Sequence, residues 1–207
     1  MAVLLRVIVQ ASLLLFSCTL FADQGAASKR SVDAEQSAKQ FVSEVISALE
    51  ARLLSALEEN KLNDESYLDS LINAQVFPYI DMSHITKKVT GPHWDEVLKS
   101  NDELAMQQAI KATLLRTYRV ALASYDGDRI IVGESKDKAK YSLVRVSITS
   151  GTSQHHLDFA VKPKGDSWLI FDVSIDGVVF TKTMRSSVAP MFEKQNVKEV
   201  IKNLLKE

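Results

Sequence analysis

The sequence predicts an α+β domain in which helices pack on a curved, four-stranded antiparallel sheet, cone-like in shape, that encloses a hydrophobic pocket. Three observations predict it. The apolar period changes from 3.6 residues to 2 at Arg129. The loops between the later strands are too short to hold a helix, so neighbouring strands run antiparallel. The last of these strands, Trp168–Ile175, is apolar on both of its alternating rows, with Trp168, Ile170 and Asp172 on one and Leu169, Phe171, Val173 and Ile175 on the other. Both faces should therefore meet apolar groups, helices on one side and a core or cavity on the other.

The chain begins with a targeting pattern. Within residues 1–22 Arg6 is the only charge, Val7 to Phe16 is almost wholly apolar, and Leu20-Phe21-Ala22 offers a cleavage site before Asp23. This reads as a secretory signal peptide, too short with its flanks for a transmembrane helix. An alternative is a lipoprotein, because Leu15-Phe16-Ser17-Cys18 resembles a lipobox that would leave Cys18 as a lipidated N-terminus. Cys18 is the only cysteine, so cleavage after Ala22 leaves neither a disulfide framework nor a thiolate. That suits the bacterial periplasm. Residues 23–31 read as a flexible linker and 32–207 as a single domain, large enough for a real core.

Each element follows from its pattern. Val32 to Glu59 is a helix, with Phe41, Val45, Leu49, Leu53 and Leu57 recurring every four residues. Asn63 or Asp64 caps a short helix carrying Tyr67, Leu68, Leu71 and Ile72. Pro78 fixes the next start, and the apolar set Tyr79, Ile80, Met82, Ile85 and Val89 ends at Gly91-Pro92. Ser100 and Glu103 form a capping box that opens a long helix reaching about Tyr125. The strands are Arg129–Val132, Tyr141–Thr149, His155–Val161 and Trp168–Ile175. Asp176-Gly177 breaks the last strand, and Ser186 to Leu205 forms one or two amphipathic helices.

The composition excludes several functions. Net charge is −1 with no long basic run, so nucleic-acid binding by charge is not expected. The four histidines, His84, His93, His155 and His156, show no metal-binding spacing. There is no Gly-x-Ser-x-Gly, and seven glycines leave little for a nucleotide cradle. A buried Asp81 or Asp172 could act as a general base, as in cone-shaped isomerases. Against that, Asp172 could simply accept backbone or arginine hydrogen bonds while Asp176 shapes a turn. The remaining signal is an apolar surplus spread over both strand rows and four helical segments, which points to a cavity.

A resemblance sharpens this. Phe77-Pro78-Tyr79-Ile80-Asp81, Val89-Thr90-Gly91-x-x-Trp94, Leu114-Leu115-Arg116-Thr117-Tyr118, Leu122-Ala123-x-Tyr125, Gly165-x-x-Trp168-x-x-x-Asp172-Val173-x-x-x-Gly177-Val178 and Arg185 stand in an order that resembles the MlaC family of toluene-tolerance, or ABC-transporter auxiliary, proteins. Val179 departs from it, standing where the family has serine, and the segment after Arg185 diverges. The resemblance implies an NTF2-like cone and a periplasmic phospholipid shuttle that is not an enzyme. Phospholipid is then cargo, and no other cofactor or metal is expected. The implied partners are an outer-membrane lipoprotein–porin complex and an inner-membrane ABC transporter with an MCE-domain subunit, served by a monomer. The expected tail-binding residues are Val76, Tyr79, Val89, Trp94, Ile110, Leu114, Tyr118, Val144, Val146, Leu157, Phe159, Phe171, Val173 and Val178. The rival readings are a cone-fold isomerase or dehydratase and an adaptor with a filled core. N-terminal sequencing of the exported chain is expected to begin at Asp23; a blocked N-terminus at Cys18 would favour the lipoprotein instead.

Overall fold

The computed structural model describes residues 32–165 and 167–206. The expected signal peptide, the linker and Cys18 lie outside the described residues. The first helix, α1 (Val32–Glu58), buries Ala38, Val42, Val45, Leu53 and Ala56 along one stripe. Asp64 then caps α2 (Glu65–Gln75), its carboxylate accepting from the Tyr67 amide at 3.0 Å. Pro78 lies in a 3₁₀ turn, Phe77–Tyr79.

Asp81 starts α3 (Met82–Thr90). Its carboxylate accepts from the His84 amide at 3.0 Å and pairs with Lys162 at 2.7 Å. Burial alone would raise the Asp81 pKa, but Lys162 and the His84 N–H outweigh it and hold the carboxyl below its ordinary value. Gly91 ends the helix at φ 55°, and a Cβ there would lie 2.8 Å from Cδ of Arg185. A 3₁₀ turn, Gly91–His93, and α4 (Trp94–Lys99) lead to the long α5 (Glu103–Ala123).

The expected capping box at Ser100–Glu103 does not form. Ser100 ends α4, and its hydroxyl donates to the Val97 carbonyl at 3.0 Å. Asp102 is the residue before α5, without a side-chain bond to it. The serine is already used by the preceding helix, and Asn101 at φ 55° separates the two. The reciprocal box stands elsewhere, at Asn196 and Glu199, where each side chain accepts the other's amide at 3.0 and 3.1 Å.

The sheet has five strands rather than four. β1 (Arg129–Asp137), β2 (Ser142–Ser150), β3 (Ser153–Lys164), β4 (Ser167–Ile175) and β5 (Val178–Val179) lie side by side in chain order, each antiparallel to the next. β5 is two residues long, too short to show a period in the sequence. Asp176 at φ 50° and Gly177 at φ 85° form the two-residue turn into it, matching the twist of a tight hairpin. Directly after β5 comes α6 (Phe180–Phe192), earlier than expected, then α7 (Val197–Lys206).

A bulge overturns the expected division of β4 into two strict rows. Val161 pairs with Ile170, Ala160 with Asp172 and Phe159 with Val173, so Phe171 has no residue opposite it. The extra residue shifts the parity. Trp168 and Ile170 now share a face with Val173 and Ile175, while Asp172 falls in line with Ala160 on the other face. That other face receives Asp172 as a buried carboxylate. Its oxygens accept from the Val173 amide at 3.0 Å, the Thr181 amide at 3.2 Å and the Thr181 hydroxyl at 2.6 Å, with Lys88 at 3.5 Å.

α1 lies across the sheet over β1 and β2. α3 and α6 pack against each other and against β4, and α5 packs on α2, α3 and α7. Ile80 bridges to Ile170 in parallel sense, and the Asp81 amide donates to the Ile170 carbonyl at 2.8 Å, so this segment covers β4 beyond the reach of β5.

Gly91→Ala should cost about 1–3 kcal/mol, because the backbone there suits glycine and Arg185 crowds the position; chemical denaturation measures it, and an unchanged midpoint would refute the strain. Lys162→Gln should cost up to about 1 kcal/mol at neutral pH. A carboxyl held low contributes stability that is complete above its unfolded value, 3.8, and is lost as pH falls through the folded value. The gap between wild type and variant should thus close below about pH 4. A gap independent of pH would mean the ion pair contributes nothing.

Candidate functional site

Packed domains usually have one main core with smaller satellites. Here a large helical cluster is accompanied by two smaller ones. The helical cluster joins α3, α5, α6 and α7 around Val89, Ile110, Leu114, Val188 and Val200. A sheet cluster sets Ala38 and Val42 of α1 against Val144, Val146, Val161, Trp168 and Ile170. A third gathers Leu53, Ala56, Leu68 and Tyr125 at the far end of α1. Among the described residues the clusters share Ile80, Leu122 and Ile130, and each of these is half-buried. Around the junctions stand further half-buried apolar residues, Phe41, Tyr79, Leu115, Tyr118, Leu157 and Phe159 among them.

Tyr118 shows what kind of surface this is. Part of its side chain is accessible, yet burial pushes its phenol up to about 12, with the Asp172 carboxylate adding to the shift. A tyrosine on the outside of the protein would keep its hydration. The Tyr118 ring lies half-buried against the helical cluster, 6.5 Å from the Phe77 ring.

The expected tail-binding residues are distributed as follows. Val89, Ile110 and Leu114 are fully buried in the helical cluster, and Val76, Trp94 and Tyr118 lie half-buried against it. Val144 and Val146 are buried in the sheet cluster, with Tyr79, Leu157 and Phe159 half-buried against it. Phe41 packs edge-on against Tyr79 at 5.9 Å between ring centroids. Val173 is half-buried beside Phe159 in the register. Val178 is exposed on β5. Phe171 stands apart from this group, at the bulge. Phe41, Ile80, Leu115, Leu122 and Ile130 are additional half-buried neighbours outside the expected tail-binding set.

Phe171 belongs to a different environment. With Lys88, Tyr141, Leu143, Ala160 and Val173 it borders a hollow of about 340 Å³. Its ring has His84 at 5.0 Å and Tyr141 at 5.5 Å, both edge-on, and the Lys88 and Lys162 ammonium groups at 5.6 and 5.9 Å. Burial, then Lys162, pushes the His84 pKa down, which favours the neutral ring, and its buried Nε2 has no partner. A second hollow of about 340 Å³ lies by Phe77, Ile80, Asp81 and Met82. Both are at the small end of ligand sites, which span about 300–1,000 Å³.

The candidate acids are engaged structurally. Asp172 serves Thr181, the Val173 amide and Lys88, and Asp81 caps α3 and pairs with Lys162. Asp176 accepts from the His156 amide at 2.8 Å and sits 2.9 Å from Nδ1 of His155. Burial opposes these bonds, yet they hold the Asp176 carboxyl below its usual range. His156 meets the Ser147 hydroxyl at 3.0 Å. The two histidines thus have separate partners, and no metal-binding group of His, Cys, Asp and Glu occurs among the described residues.

Comparison with known proteins agrees with this architecture. A solved phospholipid-binding protein from Ralstonia solanacearum, in complex with a phospholipid, superposes with a TM-score of 0.73 at 19% identity, over 82% of this chain and 95% of that one. The toluene tolerance protein ttg2D of Pseudomonas putida is 23% identical over 163 residues, 76% of this chain and 75% of that protein. The profile of the MlaC protein family matches residues 47–206, which takes in almost every element from the middle of α1 to the end of α7. The chain belongs to the MlaC family.

Proposed function

We propose that this protein is a periplasmic phospholipid carrier of a Mla-type ABC transport system, binding without turnover. The observation that carries the reading is the set of half-buried apolar side chains, Tyr79, Tyr118, Leu157 and Phe159 among them, that lie against the buried clusters without being closed into them. The Ralstonia relative, which shares the fold, holds a phospholipid. Two sixteen-carbon acyl chains carry about thirty methylenes, worth ~24 kcal/mol of transfer free energy at ~0.8 kcal/mol each. Exposing them fully to water during transfer would be prohibitively slow. A carrier must therefore enclose the tails and hand them over while docked, between an outer-membrane lipoprotein–porin complex and an inner-membrane ABC transporter with an MCE-domain subunit. The proposed lining comprises twelve of the fourteen residues named from the sequence, without Phe171, which borders the hollow beside Lys88, and Val178, which is exposed on β5; Tyr79, Tyr118, Leu157, Phe159 and Val173 offer the accessible surface.

Gentle purification of the exported chain, organic extraction and mass spectrometry test the reading. Phospholipid near one molecule per protein is expected to survive size exclusion. Val173→Trp should place a large ring among the proposed lining and lower bound lipid severalfold, while the circular dichroism spectrum stays unchanged. Lipid-free protein that also takes up none from liposomes would overturn the carrier reading. Full lipid content in the Trp variant would overturn this lining.

A further inference from the structure

The chain has 25 basic and 26 acidic residues, so its charge is balanced overall. It is not balanced locally. Neither α3 nor α6 contains an acid, although the two pack against each other. Between them they expose Lys87, Lys88, Lys182 and Arg185, together with the hydroxyls of Ser186 and Ser187. Of the acids on neighbouring elements, Asp172 meets Thr181 and Lys88, Asp81 meets Lys162, Glu96 meets His93 and Asp176 meets His155, while Asp95 and Glu193 stand exposed at the rim. Among the described residues no ion pair joins Lys87, Lys182 or Arg185 to a carboxylate. Immediately before α6, the β4–β5 hairpin presents Val178 and Val179, 36% and 38% exposed.

We propose that the α3–α6 face, with the β5 valines beside it, docks on an anionic phospholipid bilayer. Charge complementarity carries the proposal. Lysine and arginine near such a surface each strengthen binding about fivefold, and their N–H groups suit phosphate oxygens. Exposed apolar side chains next to cations add a shallow insertion point. An acidic peptide is the less fitting occupant. Recognition of an acidic motif usually uses a cluster of arginines, whereas this face carries Arg185 beside three lysines and two exposed valines. The proposal concerns adhesion to a surface and stands whether or not the chain carries a lipid in its interior.

Co-sedimentation of the full exported chain with vesicles tests it. One set is phosphatidylcholine alone, the other an equal mixture of phosphatidylcholine and phosphatidylglycerol. Binding is expected only to the mixture, and is expected to vanish at about 1 M salt, where the Debye length is about 3 Å. Lys87→Gln with Lys182→Gln should weaken binding about 25-fold. Lys198→Gln with Lys202→Gln, which removes equal charge from exposed positions on α7, should leave it unchanged. Equal binding to both vesicle sets, or a Lys87/Lys182 variant that binds as wild type does, overturns the proposal. So does a preference for soluble polyglutamate over the anionic vesicles, which would assign the face to an acidic protein. Should the double variant fail to fold, the wild-type comparison of the two vesicle sets and its salt dependence decide alone. A chain that extracts with phospholipid yet ignores anionic vesicles would refute this docking face and leave the carrier reading intact.

Discussion

Asp172 is a carboxylate with almost no access to water, and it is tolerated there because three hydrogen bonds and a lysine meet it. A buried charge without such partners would cost several kcal/mol. Its placement depends on the bulge at Phe171, which turns Asp172 away from the α1 side of the sheet. Much else follows from that one position. Thr181 must begin α6 where its amide and hydroxyl both reach the carboxylate. α6 then lies close enough to α3 that Arg185 rests against Gly91. The sheet and the helical half are thus joined by a polar contact at one edge, and apolar packing need not fill the space between them.

That freedom has a thermodynamic side. Apolar side chains left half-buried forgo part of the transfer free energy that a closed core would gain. A ligand that fills the space restores those contacts and binds only the folded state, so occupancy and stability rise together. On the carrier reading, the empty protein is the less stable form. Tyr118 fits such an interior, because burial pushes its phenol up to about 12 and so disfavours any charge there.

Most of the architecture was legible before any coordinates. The α1 helix, the cap at Asp64, the punctuation at Pro78 and Gly91 and the two-residue period after Arg129 each reflect local physics that tertiary packing left alone, although the buried line of α1 runs through Ala38, Val42 and Ala56 and leaves Leu57 exposed. What escaped was whatever alternation cannot encode. The bulge at Phe171 reverses the facing of half a strand, and no residue type there signals it. Serine 100 carried a capping pattern but was taken by the helix before it. β5 was too short to have a pattern. The candidate site shows the same limit. Tyr79, Leu157 and Phe159 are apolar in the sequence just as Ile110 and Val144 are, and only the assembled fold separates half-buried residues from filled core.

The two edges of the sheet are treated differently from its faces. At one side, β4 is covered by the two residues of β5 and by the Ile80 bridge. At the other, β1 is nine residues long, but its register shifts between Val132 and Ser135, and Arg129, Glu134 and Lys136 project along it. A bulged and charged edge is a poor template for another strand. A folding chain passes through stages when edges are unprotected. In this chain the protection is written into β1 itself and needs no other element to arrive, so edge-to-edge aggregation is discouraged from the moment the strand forms.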